Sequence, residues 1–182
     1  MNLDRANRGA LAKLRRYCVK NRLLKMLTLT YADAQLDRAI VKEDLNGLFI
    51  RWRSLKGGKK FPYVYVLELH PGGHGLHVRI ALPLHYVDKY WLQETWGHGI
   101  VHFKDPKKLR DGTKRQRSAR LAHYLAKYIS KTLEIDHEMG KHRYGVAQGF
   151  DVEIERRTFQ TLAEANEWLR DYKDECFEAV WS

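Results

Sequence analysis

Tyr124-Leu-Ala-Lys127-Tyr128-Ile-Ser-Lys131 is the stretch of this sequence whose residue types and spacing best suit chemistry. Residues four apart on a helix lie on one face, so Tyr124 and Tyr128 stack one turn apart and Lys127 and Lys131 form an adjacent row. Each tyrosine is followed three residues later by a lysine, twice in register. A phenol with a pKa near ~10 is a poor nucleophile unless a neighbour helps it lose its proton or neutralises charge on the group it attacks. An ammonium does either. The same residues also suit plain packing: the tyrosines flank the apolar stripe of Leu121, Leu125 and Ile129, and the lysines would then be solvated.

A second set of reactive groups lies upstream. Glu68, His70, His74 and His77 surround a turn rich in glycine, His70-Pro-Gly-Gly-His-Gly75. Residues two apart in a strand share a face. Glu68 therefore goes with Val66 and His70, and His77 with Gly75 and Arg79; antiparallel pairing in the right register sets Glu68 beside His77. Carboxylate and imidazole together suit a divalent ion that polarises a phosphodiester. Histidines in a surface turn also commonly carry no chemistry.

The elements that must position these groups follow from periodicity and punctuation. Residues 8–21 read as a basic helix with Leu11, Leu14 and Cys18 at helical spacing, and residues 23–31 as a central strand. Residues 32–54 read as a helix with Ala39, Leu45, Leu48, Phe49 and Trp52 on one face, broken by Lys56-Gly-Gly-Lys-Lys60. Strands at 61–69 and 76–82 form a hairpin across the glycine turn. A short helix at 86–95 and a short strand at 100–103 follow, then a basic loop at 104–117 and a strongly helical stretch at 118–133. Residues 152–154 alternate like a strand, and 162–172 form an amphipathic helix. The sum is an α+β fold, an antiparallel sheet with helices packed on it, in one domain spanning 1–182.

Composition narrows the partners. The 182 residues carry 33 Lys+Arg against 22 Asp+Glu, a net charge of +11. Such a surplus favours polyanions, because each neutralised phosphate releases counterions. The two cysteines, Cys18 and Cys176, have no metal-knuckle or disulfide spacing. No apolar run approaches the ~20 residues of a membrane span, and the N-terminus lacks the layout of a signal peptide. A cytoplasmic protein is expected.

Leu27-Thr-Leu-Thr30, Gly73-His-Gly-Leu-His-Val78 and Tyr124-Leu-Ala-Lys-Tyr128, in that order, closely resemble the three motifs of HUH endonucleases. More narrowly, they resemble the two-tyrosine replication initiators of rolling-circle plasmids and small single-stranded DNA phages. Trp96-Gly-His-Gly-Ile-Val101 and His142-Arg-Tyr-Gly-Val-Ala-Gln-Gly-Phe150 are similar to bacterial plasmid-type initiators, and the likeness covers residues 24–150. The resemblance implies a ferredoxin-like sheet and a bound Mn²⁺ or Mg²⁺. It further implies nicking and rejoining of single-stranded DNA through a 5′-phosphotyrosine. Carried over by position, His77 and Glu68 are metal ligands, with His74 and His70 as substitutes. Tyr124 is the preferred nucleophile and Tyr128 the alternate, with Lys127 and Lys131 steering the phosphate. Arg79, Lys107, Lys108, Arg110, Lys114, Arg115 and Arg117 are expected to contact DNA.

One position departs from the pattern. Residue 79, where the motif has its second histidine, is Arg, and a guanidinium is permanently cationic and ligates no metal. Fewer protein ligands, substitution by His74 or His70, transfer of part of the metal's charge role to Arg79, or a weakened enzyme all accommodate it. The competing readings are an HUH-fold single-stranded DNA-binding protein without catalysis, a small HUH transposase, and an RNA-binding domain that stacks bases on Tyr63 and Tyr65. The sequence contains no Gly-x-x-x-x-Gly-Lys-Ser/Thr phosphate loop, so duplex unwinding is expected to need a host helicase, and synthesis a host polymerase.

Overall fold

The computed structural model of the chain describes residues 3–70, 72, 75–83, 87–104, 111–135, 144–153 and 157–171. Along the chain these form α1 (Leu3–Lys20), β1 (Leu23–Leu29), α2 (Arg38–Leu55), β2 (Val64–Leu69) and β3 (Leu76–Pro83). They continue with α3 (Lys89–Trp96), β4 (Val101–Lys104), α4 (Lys114–Ile135), β5 (Tyr144–Val146) and α5 (Leu162–Asp171).

β1 is apolar on both faces, as a central strand must be, and it lies between β3 and β4. The five strands run in the order β4-β1-β3-β2-β5, every pair antiparallel. Taken from β1 to β4, the β-α-β-β-α-β succession with order 4-1-3-2 is the ferredoxin-like arrangement.

Alternation along the strands divides the interior in two. Leu27, Leu29, Leu67, Val78, Ile80 and Leu82 point toward α2 and α3 and pack with Val41, Leu45, Leu48, Phe49, Trp52, Leu92 and Trp96. Met26, Val64, Val66 and Ala81 point the other way, against Leu14, Tyr17 and Cys18 of α1 and Leu121, Ala122, Leu125 and Tyr128 of α4. The second layer carries the polar residues of interest, because Thr28, Glu68, His77 and Arg79 alternate onto that same face.

Helix ends account for most departures from the expected boundaries. α2 starts at residue 38 rather than 32, where the Asp37 side chain accepts from the Ala39 N–H at 2.7 Å. Its buried stripe uses Val41, while Ala39 is exposed. α4 starts at Lys114, so Lys114, Arg115 and Arg117 belong to its first turn rather than to a loop. Thr113 and Gln116 form a reciprocal capping box there: Thr113 Oγ1 accepts from Gln116 N–H at 3.2 Å and Gln116 Oε1 from Thr113 N–H at 3.0 Å. Residues 151–153 join no strand, and Ile154 lies outside the described residues. Val152 instead packs against the α1–α4 cluster, and the fifth strand is β5.

Two glycines interlock the loops at one end of the sheet. A Cβ on Gly75 (φ +77°) would sit 2.6 Å from the Gln35 nitrogen, and one on Gly99 would sit 2.8 Å from the Ala32 nitrogen. The 30–36 segment is thereby held between the β2–β3 turn and the α3–β4 loop. Leu76 N–H donates to Gln35 O at 2.7 Å on one side, and Ala32 N–H to His98 O at 2.8 Å on the other. Gly9, on α1, has nothing within 4 Å of its Cβ position. Gly99→Ala is expected to lower stability by about 1–3 kcal/mol through backbone overlap. Gly9→Ala is expected to raise it by about 0.5–1 kcal/mol. Chemical denaturation of both variants checks the pair.

Cys18 is fully buried, and burial pushes its thiol up to about 12. In the folded protein Cys18 should resist iodoacetamide at about pH 8 and react only on unfolding, read by peptide mass mapping.

Candidate active site

The site is built across three strands and one helix. Pairing sets Glu68 opposite His77 and Val66 opposite Arg79, and on the other side of β3 sets Arg79 opposite Thr28. Thr28 is in turn opposite His102 of β4. The expected juxtaposition of Glu68 and His77 is therefore the actual register.

Arg79 is the hub. Its Nε donates to Glu68 Oε2 at 2.9 Å, Nη2 lies 2.8 Å from the same oxygen, and Nη1 donates to Thr28 Oγ1 at 2.8 Å. The guanidinium carbon lies 4.6 Å from the centre of the Tyr128 ring, within cation–π range. The Arg79 and Glu68 side chains are 16% and 6% exposed, so this ion pair is largely withdrawn from water. Breaking such a pair by removing one partner costs about 3–5 kcal/mol, because the other charge stays buried.

α4 brings the phenols onto this face. Leu121, Ala122 and Leu125 anchor the helix to the sheet and α1. That leaves Tyr128 buried and Tyr124 half-buried, with ring centres 5.1 Å apart in an edge-on arrangement. The Tyr128 hydroxyl donates to the Tyr124 hydroxyl. Burial, then this hydrogen bond, push the Tyr128 pKa well above the usual phenol range, while the Arg79 charge pulls the other way. Tyr128 thus remains a protonated donor at physiological pH, and the oxygen that receives its hydrogen bond belongs to Tyr124, the more accessible phenol.

Of the other expected site residues, Lys127 is exposed on α4, and Lys131 is on α4 outside the described side chains. Lys114 is exposed, and Arg115 and Arg117 stand with it at the start of that helix. His74, Lys107, Lys108 and Arg110 lie outside the described residues.

The described donors do not make a metal site. The His70 and His77 rings are close, with centres 4.8 Å apart, and Glu68 pairs with His77. Yet Glu68 Oε2 is taken by Arg79, and His70 Nδ1 accepts from the Gly72 N–H at 3.1 Å. A neutral imidazole that accepts at Nδ1 carries its proton on Nε2 and has no lone pair left for a cation. Among the described residues, no three His, Cys, Asp or Glu side chains are grouped to hold a metal ion.

Sequence reasoning missed Thr28 and His102. Thr28 lies in a strand that carries no chemical signal of its own, and only the register places its hydroxyl on Arg79. The other two sequence motifs are positional. In the Trp96–Val101 segment, Trp96 Nε1 donates to Thr30 O at 2.9 Å, and His98 Nε2 meets Asp44 Oδ1 at 3.3 Å. Tyr31 also donates to Asp44, at 2.8 Å, so the loop is pinned to β1 and α2. In the 142–150 segment, Ala147 O accepts from the Tyr17 hydroxyl and Phe150 O from the Asn21 amide, both at 3.1 Å, tying β5 to α1.

No helix among the described residues is long and apolar enough to cross a membrane. No curated protein and no solved structure matches the chain. The family described as replication-associated protein ORF2 matches residues 24–133, from the start of β1 nearly to the end of α4. That span is more than half of the sequence and includes every strand and helix that contributes to the Arg79 site, and the chain belongs to this replication-associated protein family.

Proposed function

We propose that this protein is a rolling-circle replication initiator that nicks and rejoins single-stranded DNA with Tyr124 as its nucleophile. The observation that carries this reading is the hydrogen-bonded pair of phenols on α4, held over the Arg79 guanidinium on the sheet. In the forward step the Tyr124 oxygen bonds to the scissile phosphorus and the P–O3′ bond breaks. The 3′ oxygen leaves with the bonding pair and is protonated, while the phenol's proton passes to solvent. The hydrogen bond from Tyr128 stabilises charge on the Tyr124 oxygen as it ionises. Rejoining runs the step backwards with a 3′-hydroxyl as the attacking group, and Tyr128 is the second phenol for strand exchange. No step is assigned to a metal ion, since the described donors do not assemble a site for one. A host helicase and polymerase, in a bacterial cytoplasm, complete the proposed setting.

A second reading is favoured by the Arg79–Glu68 ion pair itself: a protein of this fold that binds single strands without cutting them. The two readings part on one assay. Single-stranded and hairpin oligonucleotide pools, labelled at the 3′ end, are incubated with the full chain in Mn²⁺, Mg²⁺ or EDTA and run on denaturing gels. A labelled protein band is expected. It should disappear in Tyr124→Phe and in the Tyr124→Phe/Tyr128→Phe double variant, and mass spectrometry should map the phosphate to Tyr124. A band that persists in the double variant removes the tyrosine assignment, and no band under any condition favours binding alone.

Under both readings affinity for single strands should fall steeply with salt, log K being linear in log salt with a slope of about −0.7 for each phosphate neutralised. Fluorescence anisotropy across roughly 50 to 300 mM NaCl measures it.

A further inference from the structure

The donors of Arg79 are not exhausted by its protein partners. A guanidinium has five N–H groups. Nε and one N–H of Nη2 face Glu68, and one N–H of Nη1 faces Thr28. One N–H on each Nη atom makes no hydrogen bond among the described residues. The head group is held from three directions, by Glu68 of β2, Thr28 of β1 and the Tyr128 ring of α4. It is nevertheless 16% exposed, on the face that carries the phenols. A fixed cation with a pair of N–H groups in hand matches the non-bridging oxygens of a phosphodiester.

We propose that Arg79 forms a metal-independent binding site for a phosphodiester of single-stranded DNA, its two remaining Nη N–H groups taking the non-bridging oxygens next to the Tyr124 and Tyr128 hydroxyls. The link to cleavage rests on the nickase reading, but binding does not require it. Glu68 is the positioning residue. It sets the plane of the guanidinium and offsets its charge when no nucleic acid is present, so binding is a competition in which phosphate oxygens meet a cation already partly neutralised.

The test measures binding of a fluorescein-labelled single strand of about 20 nucleotides, on the order of the sites that such proteins cover. Anisotropy with the full chain is read in EDTA and in Mn²⁺, for the wild type, Arg79→Gln, Arg79→Lys and Glu68→Gln. The wild type should bind equally well in both buffers. Arg79→Gln should bind about ten- to a hundredfold more weakly, with the salt slope smaller by roughly one phosphate contact. Arg79→Lys, a point charge without the planar fork, should fall between. Glu68→Gln, which unmasks the cation, should bind at least as tightly as the wild type. If the ion pair served folding alone, Glu68→Gln and Arg79→Gln would weaken binding together and leave the salt slope unchanged, and that result overturns the proposal. So does wild-type binding that vanishes in EDTA and returns with Mn²⁺, or Mn²⁺ uptake by the wild type that His77→Ala abolishes in electron paramagnetic resonance. Absence of a covalent adduct in the earlier assay would remove the nickase reading, while the anisotropy series decides the phosphate site on its own.

Discussion

A guanidinium set into the face of a β-sheet must be surrounded by acceptors and polarisable surface, and that requirement organises this molecule. Arg79 lies on a strand between two others, and its neighbours answer it from each side: a carboxylate on β2, a hydroxyl on β1 and an aromatic ring from α4. Removing any one leaves a desolvated charge short of a partner. The ion pair therefore couples the register of three strands to the docking of α4. A one-residue slip in β2 would turn Glu68 to the opposite face and leave Arg79 against an apolar layer.

The sheet separates the labour of its two surfaces. Toward α2 and α3 the packing is dense and apolar, with Phe49 stacked on Tyr63 at a 3.7 Å ring separation and Trp96 fully buried. Toward α1 and α4 the apolar contacts from Leu14, Leu121 and Leu125 give way to Thr28, Glu68, His77 and Arg79. The change comes from alternation alone: Leu76, Val78 and Ile80 face one way, and His77 and Arg79 the other. A strand of this kind serves stability and chemistry with the same residues, because its period is two.

The strands were legible because both their composition and their turns were local signals; the hairpin register followed from the glycine-rich turn and proved to be Glu68 against His77. The stacked phenols were equally legible, since helical spacing is fixed geometry. Thr28 was not, because its role exists only through a partner 51 residues away. The start of α4 was hidden for another reason: its lysines and arginines look like a solvated loop, yet Thr113 and Gln116 cap one another and open the helix there. The grouping of Glu68, His70 and His77 suggested metal ligation from residue types, whereas hydrogen bonding commits Glu68 to Arg79 and one nitrogen of His70 to Gly72. Residue identity gives the available donors, but partner geometry decides which remain open.

The interlock around residues 30–36 relies on main-chain atoms: amide and carbonyl groups of Ala32, Gln35, Leu76 and His98, and two positions that admit no side chain. Its shape is accordingly insensitive to what the intervening residues are. Ala32, Asp33, Ala34 and Leu36 all turn outward, Leu36 with 63% of its surface in solvent. A rim of fixed backbone with interchangeable outward groups is a surface on which selectivity can diversify while the catalytic face below it stays as it is.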